Sequence, residues 1–357
     1  MKYRVIQWAT GGVGMWSLRH IIDHPDLELV GVLVYDEKKD GMDAGEICGR
    51  APTGIKATRS RDAIMALNAD VVIHTPKLPD DQDILDLLAS GKNVISPLSY
   101  FAPEIEGSAL MQKIEAACKA GNSVLHGAGI DPGFVCDRIP AVMTAVCKEV
   151  TQINMIELFD CSHHPSADMM FNLLGFGKDP QDIHLNSPGG LYFSQRLFPA
   201  VLYKLARQIG VKLDKVEMGK VDFAFATKDF EIAAGKVGKG KIAGLSFTYT
   251  GYVDGKPFLN QTWVHHVGQH LGALPAEWRK APDAREGESP VYQIDIEIVG
   301  TPTLRNTMLM TDKVDPVWPG TAYALINSIP GVCAAKPGFL EDPVFAPWRP
   351  RMNSSSR

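Results

Sequence analysis

The feature that most constrains this chain is the turn Ala9-Thr10-Gly11-Gly12-Val13-Gly14. It lies between the apolar run Tyr3 to Trp8 and an amphipathic stretch from Val13 to His24. Strand, glycine-rich turn and helix open a βαβ unit, and a second apolar run, Leu27 to Val34, closes it. Aligned on G-x-G-x-x-G, Ala9 takes the place of the first glycine, while Gly11 and Gly14 hold the second and third. Gly11 lets the backbone approach a pyrophosphate, and Gly14 lets the helix pack close to the strand. The helix then points its free N–H groups and positive dipole end at the phosphates.

The alternation continues with Val71-Val72-Ile73, a helix over Asp83 to Ala89, Asn93-Val94-Ile95, a helix near Leu110 to Ala120, and Ser123-Val124-Leu125. Strands alternating with helices at this spacing form a parallel sheet. The expectation is an α/β chain whose residues 1–148 form a Rossmann-type, doubly wound parallel sheet, completed by a C-terminal helix within 317–350. Residues 149–316 have a different texture. Ile153 to Phe159, Val221 to Phe225, Ile232 to Val237, Leu245 to Val253, Phe258 to Val267 and Tyr292 to Val299 read as strands. Asp254-Gly255 marks a tight hairpin between two of them. Phe198 to Ile209 reads as a helix, Arg279 to Glu288 as a solvated loop, and Gly320 to Ile329 as an apolar helix packing back on the first domain. This half is read as an α+β substrate domain carrying an open, mostly antiparallel sheet.

A length of 357 residues suits two such domains. The net charge of −5 excludes nucleic-acid binding as the main role, and no run approaches the apolar length of a membrane span. Met1 to Val5 turns straight into a strand, without the apolar region of a signal peptide. Six scattered cysteines with no CxxC pair suggest a reduced, cytoplasmic protein.

A dinucleotide, NAD or NADP, is the ligand the turn implies, with Thr10, Gly11, Gly12, Val13 and Gly14 as its first contacts. Asp36 ends the second strand and is the natural partner of a ribose 2′-hydroxyl, whereas Lys38 and Lys39 could instead meet a 2′-phosphate. Loops at the carboxyl ends of parallel strands line the ligand crevice. They bring in His74, Thr75 and Pro76, then Ser96 to Tyr100, then His126 to Gly129.

Further stretches carry a family likeness. Asp43-Ala44-Gly45-Glu46-Ile47-Cys48-Gly49 resembles the loop after the second strand in dihydrodipicolinate-reductase-like proteins. Gly129-Ile130-Asp131-Pro132-Gly133-Phe134 resembles their G-x-N-P-G-F turn, with Asp131 in place of Asn. Ser162 through Gly177, Trp263 through Trp278, and Leu325 through Pro330 extend the resemblance over nearly the whole chain. The group includes 2,4-diaminopentanoate dehydrogenase and the native NAD(P)-dependent amine dehydrogenases. The resemblance implies a second domain for substrate binding and dimerisation, a homodimer, and hydride transfer between nicotinamide and a C–N bond. Gly129 and Pro132 then join the cofactor contacts.

One departure stands out. A glutamate that handles the amine's proton follows the fourth strand in those amine dehydrogenases. Here the segment reads Ser96-Pro97-Leu98-Ser99-Tyr100-Phe101, and Glu104 and Glu106 come too far along the next helix. The alternative is therefore a reductase of C=O or C=C bonds, and a non-catalytic dinucleotide sensor is a third reading.

Tyr100 is the economical proton donor, since a phenol at the crevice mouth could protonate a forming alkoxide, amine or enolate, with Ser99 orienting a carbonyl or imine. His163 is the candidate histidine of the second domain, and alternation sends one residue of each pair, His163-His164 and His265-His266, inward. Phe134, Met169, Phe171, Phe176, Tyr192, Trp263 and His265 are read as pocket lining, which suits a bulky or apolar substrate. His265, His266 and His270 lack a companion cysteine or carboxylate at ligand spacing, so no metal is expected.

Overall fold

The computed structural model describes residues 2–98, 100–182, 188–289 and 291–350. The chain divides into two compact units: Met1–Phe134 with Val317–Asp342, and Val135–Pro316 with Pro343–Arg357.

In the first unit, β1 (Tyr3–Trp8), β2 (Leu27–Leu33), β3 (Val71–His74), β4 (Asn93–Ser96) and β5 (Val124–Gly127) join a short last strand, Gly338–Leu340. All pair in parallel, in the order β2-β1-β3-β4-β5 and then the last strand. A single parallel bridge from Leu33 to Thr58 extends the β2 edge and completes the Rossmann order. The order reverses between β1 and β3, which is where such sheets open their ligand crevice.

The strands are short and apolar because helices cover both faces. One face buries Ile6, Trp8, Val72, Val94 and Leu125 under α4 (Asp81–Ala89) and α6 (Ser108–Gly121), through Ile84, Leu87, Leu88 and Ile114. The other buries Val5, Val71, Ile73 and Val124 under Ile21 of α1 (Gly12–Asp23) and under Leu325, Ile326, Ile329 and Val332. The last four belong to helices Val317–Asn327 and Ile329–Ala334. The sequence reads one helix there; Ser328 breaks it, its hydroxyl bonding back to the Ala324 carbonyl. Shorter helices α2 (Ala44–Cys48), α3 (Arg61–Met65) and α5 (Pro103–Glu106) fill the connections.

The second unit is built on β6 (Glu149–Asp160), β7 (Lys215–Met218), β8 (Asp222–Phe225), β11 (Ile242–Val253), β12 (Lys256–His266), β13 (Tyr292–Thr301) and β14 (Leu304–Met310). Their order is β14-β13-β6-β12-β11-β7, with β8 also on β11; only β6 and β12 run parallel. A hairpin of β9 (Phe230–Ile232) and β10 (Gly235–Val237) replaces the single strand expected there, because the chain turns at Ala233 and Gly235 has a positive φ. Asp254 and Gly255 both take positive φ in the β11–β12 turn, as their types predict. Helices α7 (Arg138–Met143), α8 (Pro188–Tyr192) and α9 (Phe198–Gln208) complete this unit.

Each broad strand shows two faces. One carries Phe247, Tyr249 and Trp263, with Phe198 of α9 packed on Trp263 at 4.7 Å between ring centres. The other carries a polar ladder in which Thr250 bonds Asn260, Asn260 bonds Asn154, and Asn154 reaches Glu297.

Candidate functional site

The glycine-rich turn is shaped from below. Ala9 adopts φ +73°, a left-handed conformation costly for a residue with a Cβ. Its carbonyl is held by two buried side chains: Gln7 Nε2 donates to it at 2.8 Å, and the Thr75 hydroxyl lies 3.2 Å away. Gln7 Nε2 also donates to Thr75 Oγ1 at 2.9 Å, so β1 and β3 grip the turn together. A Cβ at Gly14 would collide with the Ala9 carbonyl oxygen and come within 2.8 Å of Thr75 Oγ1. Glycine is therefore obligatory there. At Gly11, in contrast, a Cβ would meet nothing within 4 Å. The opening is local to Gly11: one residue on, at the start of α1, a Cβ on Gly12 would come within 2.8 Å of the Trp318 ring.

That helix has no side-chain cap and no acidic residue in its first turn. Its first N–H groups have no intrahelical acceptors by construction, and an anion satisfies them. An open glycine, an uncapped helix and a clamped carbonyl fit the pyrophosphate of a dinucleotide. Thr10, Gly11, Gly12, Val13 and Gly14 would hold it.

Asp36 follows β2 with an exposed side chain whose Oδ1 accepts the Lys38 N–H at 3.0 Å. Lys38 points to solvent. Lys39 leans back instead, its Nζ donating to the Thr10 carbonyl at 3.0 Å and to the Thr10 hydroxyl at 3.1 Å. Thr75 and Pro76 are buried at the end of β3. His74 is fully buried against Trp8, and burial drives its imidazole down to about 3. Ser96 is buried, its hydroxyl accepting the Leu98 N–H. Gly129 packs so tightly that a Cβ would lie 2.7 Å from the Pro132 carbonyl oxygen. His126 is pinned to Leu340 and Asp342 on the neighbouring edge.

The structure corrects the sequence at Tyr100. Its phenol does not stand at a crevice mouth: the side chain is fully buried in the sheet's core, and its hydroxyl donates to Asp81 Oδ1 at 2.7 Å. The cause is local. Residue 100 takes φ +73°, and Glu106 Oε1 accepts its backbone N–H at 2.9 Å. Glu106 is thus closer to the loop after β4 than its place in the sequence suggested, because α5 is a single turn. Ser99 lies outside the described residues.

In the second unit, His163 is exposed at the end of a 3-10 turn, while His164 is buried and held near 4 by that burial. Phe134, at the end of the first unit's N-terminal segment, is 40% exposed. Met169 and Phe171 lie on a π-helical turn, half-buried, with Phe171 against Gly177 and Gly235. Phe176 is fully buried. Tyr192, Trp263 and His265 belong to one aromatic face, which Tyr192 joins through Phe193 and Phe198.

Within that face, His265 Nε2 meets Glu157 Oε1 at 3.0 Å. Their neighbours in sequence, His266 and Asp160, sit on the opposite face, farther apart at 4.0 Å and more deeply buried. Burial lowers His266 to about 4. Among the described residues no group of three His, Cys, Asp or Glu side chains is arranged to hold a metal. Sequence reasoning missed Gln7 and Glu157, and it named Lys39 for a 2′-phosphate rather than for its bonds to Thr10. Gln7 carries a signal of its own, a neutral polar residue between Ile6 and Trp8; Glu157 does not, because β6 also carries Thr151, Gln152 and Asn154.

These features define a class, the Rossmann-type oxidoreductases that use a nicotinamide dinucleotide. Within it, residues 134–345 match the 2,4-diaminopentanoate dehydrogenase C-terminal domain, and the chain belongs to that family. An amine dehydrogenase from Streptomyces virginiae is 28% identical over 99% of this chain and 98% of its own. The 2,4-diaminopentanoate dehydrogenase of Acetoanaerobium sticklandii is 24% identical over 94% and 91%. In fold, the chain is similar to the solved amine dehydrogenase from Mycobacterium smegmatis, with a TM-score of 0.76 at 14% identity, covering 96% of this chain and 95% of that one.

Proposed function

We propose that the protein interconverts an amine and the corresponding ketone, by reductive amination or its reverse. What carries the reading is the relation to an amine dehydrogenase over 99% of the chain, together with the family match. A bound nicotinamide supplies hydride exchange at carbon. The protein's own part in the first unit is positional: Gln7 and Thr75 hold the Ala9 carbonyl, Gly14 lets α1 approach, and the α1 N-terminus takes the phosphates. Positioning of this kind accounts for much of the rate in hydride transfer.

NAD is the cofactor this geometry favours. Asp36 presents an exposed carboxylate where a ribose hydroxyl binds, and a 2′-phosphate would be repelled there. Lys39, the nearer cation to the turn, is engaged on Thr10. Tyr100 acts as a post that ties the loop after β4 to α4. The aromatic face of the second unit suits a bulky, apolar ketone. All six cysteines are free, in keeping with a cytoplasmic protein. The homodimer implied by family likeness is checked by light scattering.

The test is oxidation of NADH and of NADPH on a panel of bulky ketones, aldehydes and enones, with and without ammonium. Ammonium-dependent oxidation is expected, faster with NADH. Oxidation indifferent to ammonium would overturn the amine reading in favour of a C=O or C=C reductase.

A further inference from the structure

A short 3-10 turn, Glu37–Lys39, follows β2 in the first unit. Asp36 opens it: its Oδ1 accepts the Lys38 N–H and its carbonyl accepts the Lys39 N–H, both at 3.0 Å. The side chains at the two ends differ. Asp36 is exposed, whereas Lys39 is half-buried and returns to the glycine-rich turn. Its Nζ donates to the Thr10 carbonyl at 3.0 Å and to the Thr10 hydroxyl at 3.1 Å.

Both acceptors are neutral. Among the described residues no carboxylate pairs with this ammonium. The acids beside it in sequence are turned to other groups: Asp36 to Lys38, and Glu37 and Asp40 to Arg59. Ordering a lysine side chain costs rotamer entropy, which two neutral acceptors offset only in part. A positive charge held without a counter-ion suits an anion nearby. The turn it leans on leads into α1, which has no side-chain cap and no acid in its first turn.

The Thr10 carbonyl belongs to the same peptide group as the Gly11 N–H. That group is planar, and it is not among the cis bonds of the chain, so its N–H points away from its carbonyl. Lys39 therefore holds the peptide by one end and fixes the direction of the N–H at the other. A cation on a carbonyl also polarises the peptide and makes its N–H a better donor. Gly11 is the open position of the turn.

We propose that Lys39 is a positioning residue of the dinucleotide site: through the Thr10–Gly11 peptide it sets and strengthens the turn's grip on the pyrophosphate. The inference rests on the dinucleotide reading above and deepens it, assigning Lys39 to the phosphates that NADH and NADPH share. Gln7 and Thr75 fix the carbonyl of Ala9 and Lys39 that of Thr10, so two successive peptides of the turn are held by side chains.

The test compares wild type, Lys39→Met, Lys39→Arg and Thr10→Val as full chains. It reads NADH and NADPH affinity by fluorescence, ADP-ribose affinity by displacement of NADH, each at low and high KCl, and Tm. Lys39→Met should weaken all three ligands by one factor, about tenfold, the range for a lost hydrogen bond to a charged group. Unlike Asp36→Ser, it should leave the ratio of NADH to NADPH affinity unchanged. Its affinities should also depend less on KCl, because a cation near the phosphates is gone. Lys39→Arg keeps the charge and should restore most of the loss. Thr10→Val keeps the carbonyl acceptor and should lose less than Lys39→Met.

A loss confined to NADPH would overturn the proposal and make Lys39 the reader of a 2′-phosphate. Unchanged affinities with a lower Tm would overturn it too, as would a loss shared in full by Lys39→Arg with unaltered KCl dependence. A wild type that binds none of the three ligands would overturn the dinucleotide reading itself.

Discussion

Two buried polar clusters in this protein work by opposite means. Under the glycine-rich turn, Gln7 and Thr75 are neutral; they bond each other and the backbone carbonyls of Trp8 and Ala9. On the sheet of the second unit, Glu157 and His265 are ionisable and bond side chain to side chain. The first cluster fixes a shape, because a carbonyl aimed in a strained conformation is what lets α1 approach the strand. The second places a charge where water is scarce, which gains nothing for the shape of an aromatic face. Neutral groups shape the glycine-rich turn, and an ionisable pair is held within the aromatic face.

The comparison breaks most readily at Gly14. Gly14→Ala forces a Cβ onto the Ala9 carbonyl and should cost about 1–3 kcal/mol, the range for overpacking, with NADH binding lost alongside. Calorimetry and NADH fluorescence check it; unchanged affinity would mean the turn does not hold the cofactor. Next comes acid. His74 is held near 3, and His164 and His266 near 4, all by burial, so each stays neutral in the fold and protonates more easily once unfolded. Their stabilising contribution is whole above about pH 6.5 and is lost as pH falls from there toward the folded values. Tm should therefore drop between pH 6.5 and 4, and His74→Phe should make that drop shallower; an identical slope would remove His74 from the account.

Smaller effects sharpen the contrast. Thr75→Val removes one bond to the Ala9 carbonyl and leaves Gln7 Nε2 with one acceptor fewer. It should cost roughly 1–3 kcal/mol at most and weaken NADH binding. Unchanged NADH affinity would remove Thr75 from the shaping of the turn. Asp36→Ser should weaken NADH binding more than NADPH binding, and equal losses would refute the ribose assignment. Smallest of all, Ala9→Gly relieves the left-handed strain and should raise stability by no more than about 1 kcal/mol, read as Tm.

The parallel sheet was legible because its strands are mostly apolar and its first turn carries glycine, both local signals. Strands β7 and β14 were not, since each lies at or near a sheet edge with polar residues such as Lys215, Glu217, Arg305 and Asn306, which break up the apolar run a strand is read from. At the site, Gly11, Gly14 and Asp36 could be read from spacing alone. Tyr100 could not, because its direction depends on one left-handed φ and on the carboxylate of Glu106, six residues on. Glu157 was hidden for a related reason: its significance appears only when β6 and β12 pair in parallel and bring His265 beside it. Neither contact leaves a periodic trace.

The most direct test of the central claim is product analysis after incubation with a bulky ketone, NADH and isotopically labelled ammonium. The account predicts an amine that carries the labelled nitrogen, formed in step with NADH consumed. An alcohol or a saturated ketone, without nitrogen, would contradict it.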